Sequence, residues 1–242
     1  MDLAVLEGLK LQRFTWDVVD TNTYMLLEGD NALIVDPVDS QELFDALNGI
    51  SHADIIITHS HFDHVCGLNK VRELVKSTRV ITTSECSENI GSVYKNMSAA
   101  ADAFLSFYNQ KREAEVKDTP KFDTYEKFVC EPADFVFDDS YEYDWNGHNI
   151  RLIRCFGHSK DSLIALLDGK YLFSGDTLLK IPTATRFLGG STARFWNEDY
   201  PLLERLAASV KTVFPGHGES GSVEEMLAVN VMPEKYRGSN GK

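Results

Sequence analysis

Short apolar runs bounded by Gly, Asp or Asn recur along the first third of the chain. Runs of this kind are typical of β-strands, and we predict four of them: TYMLLEG at 23–29, ALIVDP at 32–37, ADIIITH at 53–59 and RVITT at 79–83. Two segments between these runs carry apolar residues at helical spacing. They are QELFDALNGI at 41–50 and the stretch with Leu68, Val71, Leu74 and Val75.

The second half of the chain repeats this alternation. Three consecutive strands are predicted in HNIRLIRCF (148–156), SLIALLDG (162–169) and KYLFSGD (170–176), the last two joined by a tight Asp-Gly turn. A helix in PLLERLAASV (201–210) and a strand in KTVFPGHG follow. Because each predicted helix has one apolar side that must be buried, we expect an α/β (α+β) fold of sheets covered by helices.

Residues 84–125 interrupt the alternation. Within them, SAAADAFLSFYNQKREAE predicts an amphipathic helix with Phe104, Leu105 and Tyr108 on one face. We interpret 84–125 as a helical insertion and leave open whether it is a lid, a dimer surface or a decoration of the core. The sequence contains no long linker, so we expect one domain over 1–242.

Composition restricts the class of protein. The chain has 242 residues, 43% hydrophobic and 25% charged, which is typical of a folded globular protein. A net charge of −13 disfavours nucleic acid as a partner. No apolar stretch reaches the roughly 18 to 20 residues of a membrane span, and no signal sequence is recognisable, so we expect a cytoplasmic protein with no membrane partner. The four cysteines are widely spaced and are expected to be reduced thiols.

The segment THSHFDH concentrates metal-ligand chemistry directly after a predicted strand. It contains His59, His61, Asp63 and His64. Imidazoles together with carboxylates are ligands suited to zinc or a similar divalent ion. Their density in one turn predicts a metal site, and one loop could serve two ions.

Further ligand-type residues stand at other predicted strand ends. His158 lies in CFGHS, Asp176 ends YLFSGD, and His217 lies in VFPGHG. Strand ends can converge on one edge of a sheet, so we expect these side chains to join the THSHFDH group. His52 and His148 are not accompanied by other ligand-type residues at a predicted strand end, so they are expected to be surface residues.

The motif order THSHFDH, His158, GDT and PGH resembles that of the metallo-β-lactamase-fold hydrolase superfamily over roughly residues 20–220. The resemblance implies a four-layer αββα sandwich. It also implies that His59, His61 and His158 bind one metal, that Asp63, His64 and His217 bind a second, and that Asp176 bridges them. Asp36, in LIVDP, falls where the family has a structural aspartate beneath the ligand loop, and it would orient the ligands through hydrogen bonds.

Such a site predicts hydrolysis. Two divalent ions, with zinc favoured and iron or manganese as alternatives, can share a hydroxide nucleophile because metal binding lowers the pKa of water from about 15.7 toward 7. Asp63 and Asp176 are the residues predicted to be catalytic, Asp63 by handling a proton.

The substrate is expected to be a small molecule. DTL after Gly175 and TRFLGG at 185–190 are similar to the corresponding stretch of glyoxalase II, which favours a thioester or related acyl substrate. Lys180, Arg186 and Arg194, interleaved with Phe187 and Phe195, are candidates for binding an anionic, partly apolar group. Phosphodiesters, lactones, an iron-dependent redox reaction and a non-catalytic regulatory role remain alternatives, and a homodimer is left open.

Overall fold

Two sheets and a set of short helices make up the computed structural model, which describes residues 2–6, 8–115, 124–185 and 189–236. The predicted mixed α/β fold class is confirmed. The strands are β1 Asp2–Leu6, β2 Leu9–Trp16, β3 Thr21–Glu28, β4 Asn31–Val35, β5 His52–Ile56, β6 Ser77–Thr83, β7 Phe135–Phe137, β8 Ser140–Trp145, β9 His148–Arg154, β10 Leu163–Leu167, β11 Tyr171–Gly175 and β12 Thr212–Pro215.

The helices are short, with one exception. They are α1 Gln41–Ala46, α2 Phe62–Val65, α3 Leu68–Leu74, α4 Ser84–Ile90, α5 Ala101–Glu115, α6 Thr192–Arg194, α7 Tyr200–Leu206 and α8 Val223–Ala228. Two 3₁₀ turns lie at Ser98–Ala100 and Glu234–Tyr236, and Phe195–Asp199 is a π-helix. Among these helices none is long and apolar enough to cross a membrane.

Strand order differs between the two sheets. The first has seven strands in the order β1 to β7, and the second has five in the order β12-β11-β10-β9-β8. In the second sheet β11 pairs in parallel with β12, whereas β9, β10 and β11 form antiparallel pairs. The carboxyl ends of β9, β11 and β12 therefore lie at one edge of that sheet.

The described residues group into two compact units. The first lies within Met1–Ile55, Ser60–Val80 and Ser87–Asp134, and the second within Ile56–His59, Ile81–Cys86 and Phe135–Lys242. The expectation of a single domain over 1–242 stays a prediction.

An aromatic cluster in the first unit explains the apolar face predicted in the 84–125 segment. Leu105 is buried there, and Phe104 and Tyr108 pack against the cluster from α5. The cluster also contains Trp16 and Phe62, whose rings meet edge to face. The predicted helix is present at Ala101–Glu115, and residues 116–123 of the segment lie outside the described residues.

In the second unit, α7 and α8 supply the apolar residues that pack on the sheet. Leu203 is fully buried, and Leu202 and Leu206 lie against the same core, as the spacing of the leucines predicts. The predicted turn between β10 and β11 is also present. Asp168 and Gly169 both have positive φ angles, of 52° and 65°, as the Asp-Gly pair of a type I′ turn requires.

Candidate metal centre

The ligand loop begins where β5 ends, at a threonine held on two sides. The carbonyl oxygen of Thr58 accepts a 2.8 Å hydrogen bond from the amide of Leu163 at the start of β10. A Cβ on Gly175 would lie 2.5 Å from the Thr58 hydroxyl oxygen, so only glycine permits this approach, and Gly175 also has a φ of 49°. Thr58 is followed by His59 and Gly175 is followed by Asp176, and both of these following residues are candidate ligands.

A single helical turn arranges the rest of the loop. The amide of His64 donates to the carbonyl oxygen of His61 across 2.9 Å, which closes the turn that becomes α2. All four ligand-type side chains of this loop are buried, with exposed fractions of 1% for His59, 8% for His61 and Asp63, and 0% for His64. Burying so many ionisable groups is costly unless they are paired or coordinate a metal.

Parallel pairing brings two further candidates together. Asp176 follows β11 and His217 follows β12, and the amide of Gly216 donates to the carbonyl oxygen of Gly175 across 2.8 Å. Nε2 of His217 lies 3.5 Å from Oδ2 of Asp176. Nε2 of His158 lies 3.6 Å from the same oxygen. The ring of His158 also meets that of His59 edge to face, with centroids 4.9 Å apart.

Three overlapping groups of donor atoms emerge, and within each group the atoms lie within 4.8 Å of one another. The groups are His59, His61 and His158; His59, His64 and Asp176; and Asp63, His64 and His217. The seven side chains expected from the sequence to be ligands are therefore the seven that the structure brings into these groups. His52 and His148 instead bond Asp54 and Asp168.

The spacing of the donors fits metal ions. Two ligands bound about 2.1 Å from one tetrahedral ion are about 3.4 Å apart. The Asp176 distances, and the 3.6 Å between His64 Nε2 and Asp63 Oδ2, are close to this value and are longer than an ordinary hydrogen bond. The mixture of imidazole and carboxylate donors suits a borderline divalent cation.

Hydrogen bonds around the donors orient the rings. Nδ1 of His64 donates to Oδ2 of the buried Asp36 across 2.9 Å, and Nδ1 of His158 donates to the carbonyl oxygen of Ala184 across 3.0 Å. A proton fixed on Nδ1 leaves the Nε2 lone pair for a metal. The Thr21 hydroxyl donates to Oδ2 of Asp63 across 2.7 Å and so fixes that carboxylate.

Asp36, whose carboxylate orients the ring of His64, has an unusual backbone conformation. Its φ is 52°, a left-handed conformation in which Asp and Asn are enriched. The Thr23 hydroxyl donates to its carbonyl oxygen across 2.6 Å and accepts from the amide of Val38 across 2.9 Å. The turn beneath the ligand loop is thereby fixed.

The sequence predicts that three basic residues, Lys180, Arg186 and Arg194, bind substrate, and the structure describes the surroundings of two of them. Lys180 is exposed, and Arg186 lies outside the described residues together with Phe187. Arg194 forms two hydrogen bonds with Glu198, of 2.7 and 2.6 Å, and its guanidinium stacks on the ring of Phe156. Phe195 is buried, so its ring packs in the interior.

Cys66, two residues after His64, is a partly buried thiol that contacts the backbone of Asp39. The amide of Asp39 donates to its sulfur across 3.2 Å. Burial, together with the charges of Asp63 and Asp39, raises the pKa of the thiol well above its ordinary value. All four cysteines are free thiols.

Comparisons with known proteins agree with this geometry. The family described as "Metallo-beta-lactamase superfamily" matches residues 16–217. "Probable metallo-hydrolase YqgX" of Bacillus subtilis (strain 168) is 25% identical over 220 residues, which cover 89% of this chain and 93% of that protein.

Two solved structures share the fold. The structure titled "Crystal structure of BLEG-1 B3 metallo-beta-lactamase" has a TM-score of 0.68 at 22% identity and covers 91% of this chain and 97% of its own. The archaeal protein ST1585 from Sulfolobus tokodaii has a TM-score of 0.66 at 20% identity, with coverages of 90% and 83%. At these identities the two structures support the fold and nothing further about function.

Proposed function

Because the chain belongs to the metallo-beta-lactamase superfamily, as its ligand motifs predict, we propose that it is a metal-dependent hydrolase that binds two divalent ions. The position of one carboxylate oxygen carries the proposal. Oδ2 of Asp176 lies 3.6 Å from Nε2 of His158 and 3.5 Å from Nε2 of His217. A bridging ligand would have this relation to donors of two neighbouring ions.

We assign the remaining donors to the two ions by the groups that their atoms form. His59 and His61 group with His158, and Asp63 and His64 group with His217. A further group joins His59 and His64, one from each set, with Asp176. Zinc is the ion we favour, since tetrahedral imidazole and carboxylate sets are typical of it. The name of the Bacillus subtilis relative, a probable metallo-hydrolase, supports hydrolysis as the class of reaction.

Divalent ions held by these side chains would supply a hydroxide nucleophile near neutral pH and would polarise the substrate's carbonyl group. The chain's own part is to hold the donors in place and to move a proton. Asp63 is suited to the second task, because its carboxylate is buried, oriented by Thr21 and part of the ligand set.

We propose a thioester or related acyl ester as the substrate class, on the resemblance of DTL and TRFLGG to glyoxalase II. In thioester hydrolysis the water oxygen bonds to the carbonyl carbon, and the carbon–sulfur bond breaks with its electron pair on sulfur. The proton released by the water would pass through Asp63 to the leaving thiolate. Leu178, the leucine of DTL, and the next residue, Leu179, are buried in the core. Substrate contacts made by the segment from DTL to TRFLGG must therefore come from its other residues.

The test uses the full chain loaded with zinc and a panel of an aliphatic thioester, a lactone and bis(p-nitrophenyl) phosphate. We expect the thioester to have the highest kcat/KM and Asp176→Asn to lower it by at least about 100-fold, because losing even a residue that orients a ligand costs 10- to 100-fold. Asp168→Asn is the control, since Asp168 bonds His148 outside the donor groups.

Each other outcome has a meaning. A preference for the lactone or the phosphodiester would contradict the acyl ester assignment and leave hydrolysis standing. Oxygen consumption by the iron-loaded protein without hydrolysis would favour a redox enzyme. Full zinc occupancy with no turnover of any panel member would contradict the proposed function.

A further inference from the structure

The loop that carries His158 is held from two sides by one segment, residues 191–199. On one side, the amide of Ser191 donates to the carbonyl oxygens of Phe156 and Gly157, at 3.2 and 2.9 Å. On the other side, the amides of the same two residues donate to the carboxylate of Asp199. The distances are 2.6 Å from Gly157 to Oδ2 and 3.1 Å from Phe156 to each oxygen.

Asp199 reaches this loop from the end of the π-helix Phe195–Asp199. π-Helices are rare and occur frequently at functional sites. Asp199 immediately precedes α7 with helical backbone angles, φ −70° and ψ −48°, so it is not an extended N-cap residue whose side chain bonds the first amides of the helix. Its side chain makes no such bond, so capping does not account for it.

The approach of the two segments requires a residue without a side chain at position 157. A Cβ on Gly157 would lie 2.7 Å from Cβ of Phe195 and 2.8 Å from Oδ2 of Asp199. Both of those residues are almost fully buried. Burial raises the pKa of Asp199 to about 7, although the two backbone hydrogen bonds oppose the rise. A buried carboxylate is costly, and its evident use here is to accept two amides at once.

His158 is the next residue in the chain, and its ring is held from the other end. Nδ1 donates to the carbonyl oxygen of Ala184, so the lone pair of Nε2 is directed away from that bond. The position of the ring is therefore set by its own backbone, which Asp199 and Ser191 hold, and by the Ala184 carbonyl.

We propose that Asp199 is a positioning residue for His158: by accepting the amides of Phe156 and Gly157, it sets the place of Nε2 in the metal centre. This inference rests on the proposed function, because it concerns a metal ligand. Asp199 acts through His158 and touches neither substrate nor metal.

Zinc affinity measured by competition with a chelator tests the proposal. Asparagine has one acceptor oxygen, and its amide nitrogen would face a backbone donor. We expect Asp199→Asn to weaken the binding of one of two zinc ions by about 10- to 100-fold, the usual effect of a residue that orients a ligand. The visible spectrum of the cobalt-substituted protein, which reports ligand geometry, should change as well.

Asp54→Asn is the matched control. Asp54 and Asp199 are equally buried, each 2% exposed, but Asp54 bonds His52 and Arg79. We expect this variant to lose stability in thermal melting and to keep wild-type zinc affinity. A loss of affinity equal to that of Asp199→Asn would mean that destabilisation alone weakens zinc binding, which would overturn the proposal.

A double-mutant cycle separates positioning from a general effect. If Asp199 acts through His158, Asp199→Asn should have no further effect on zinc affinity in a His158→Ala background. An undiminished effect in that background would overturn the proposal, as would wild-type affinity and an unchanged cobalt spectrum in the single variant. If wild-type protein takes up no zinc, the proposed function fails, and this result is visible before any variant is made.

A second pair of variants covers the case in which Asp199→Asn does not fold. Asp199→Glu and Asp199→Gln have side chains of the same size and differ in the second acceptor oxygen. We expect tighter zinc binding in the glutamate variant, and equal affinities would overturn the proposal.

Discussion

Oδ2 of Asp36 lies 2.9 Å from Nδ1 of His64, and both side chains are buried. The carboxylate fixes the proton of the imidazole on Nδ1 and directs Nε2 toward the other donors. Asp36→Asn keeps the shape and tolerates the left-handed backbone, yet it loses the charged acceptor. We expect zinc affinity to fall by about 10- to 100-fold, measured by chelator competition.

The chain offers a matched control for this change. Asp168 also has a φ of 52°, and its Oδ2 lies 2.8 Å from Nδ1 of His148, which belongs to none of the donor groups. Asp168→Asn should therefore leave zinc affinity at the wild-type value. Equal losses in the two variants would show that the Asp36–His64 hydrogen bond has no particular role in metal binding.

The hydroxyl of Thr21 orients Asp63, so its removal should affect catalysis more than folding. Thr21→Val keeps the shape of a buried β-branched residue and removes the 2.7 Å hydrogen bond to Oδ2 of Asp63. We expect kcat to fall by about 10-fold, corresponding to the net value of roughly 1.5 kcal/mol for a hydrogen bond to a charged group. The measurement is steady-state hydrolysis of the best substrate from the panel.

Thr15→Val on the neighbouring strand is the control for Thr21→Val. Thr15 donates to Asn22, which belongs to none of the donor groups. If both variants reduce kcat equally, the assignment of Thr21 as the residue that orients Asp63 is wrong.

The raised pKa of Asp199 predicts a pH dependence of stability. Burial raises this pKa from 3.8 to about 7, so between these pH values the folded protein holds a proton that the unfolded chain has released. The free energy of unfolding therefore falls as pH rises through this window, by at most about 1.4 kcal/mol per pH unit from this group.

Urea unfolding of the metal-free protein from pH 4.5 to 7.5 measures this effect. The difference in free energy of unfolding between wild type and Asp199→Asn should shrink or change sign as pH rises, because the asparagine cannot release a proton. Parallel pH profiles for the two proteins would contradict the assigned pKa.

Three thiols should be unreactive in the folded protein. Burial raises the pKa values of Cys66 and Cys155 well above the ordinary value and that of Cys130 to about 12. Because the thiolate is the reactive form, we expect iodoacetamide at pH 7.5 to label these residues far more slowly than in urea. Mass spectrometry of the alkylated peptides gives the rates, and rapid labelling of Cys66 in the folded protein would contradict the expectation.

Much of the fold could be predicted from the local pattern of apolar and polar residues in the sequence. The predicted strands around ALIVDP, RVITT and SLIALLDG and the helix of PLLERLAASV are present, with ends displaced by a few residues. These segments have a strong apolar pattern, and all except RVITT have a boundary at Gly, Asp or Pro. Four of the seven candidate ligands were predicted from their density in one loop, and the other three from their places at predicted strand ends. The structure brings donor atoms of all seven into three groups, and their role as ligands stays a prediction.

Other features depend on distant contacts that a pattern does not contain. The π-helix that places Asp199 against Gly157 joins segments about 40 residues apart in the chain, and Thr21 bonds a carboxylate 42 residues away. Asp199 ends a π-helix and Thr21 begins a strand, and short polar residues have many ordinary uses at such positions. Neither residue could therefore be recognised from its neighbours. The strands β1 and β2, at the start of the chain, were likewise not predicted.

The most direct test of the dinuclear centre is a crystal structure of the zinc-loaded protein with anomalous data collected on both sides of the zinc edge. We predict two anomalous peaks, one bonded by His59, His61 and His158 and the other by Asp63, His64 and His217, with Asp176 bonded to both. No peak among these seven side chains, or peaks only elsewhere on the chain, would contradict the account.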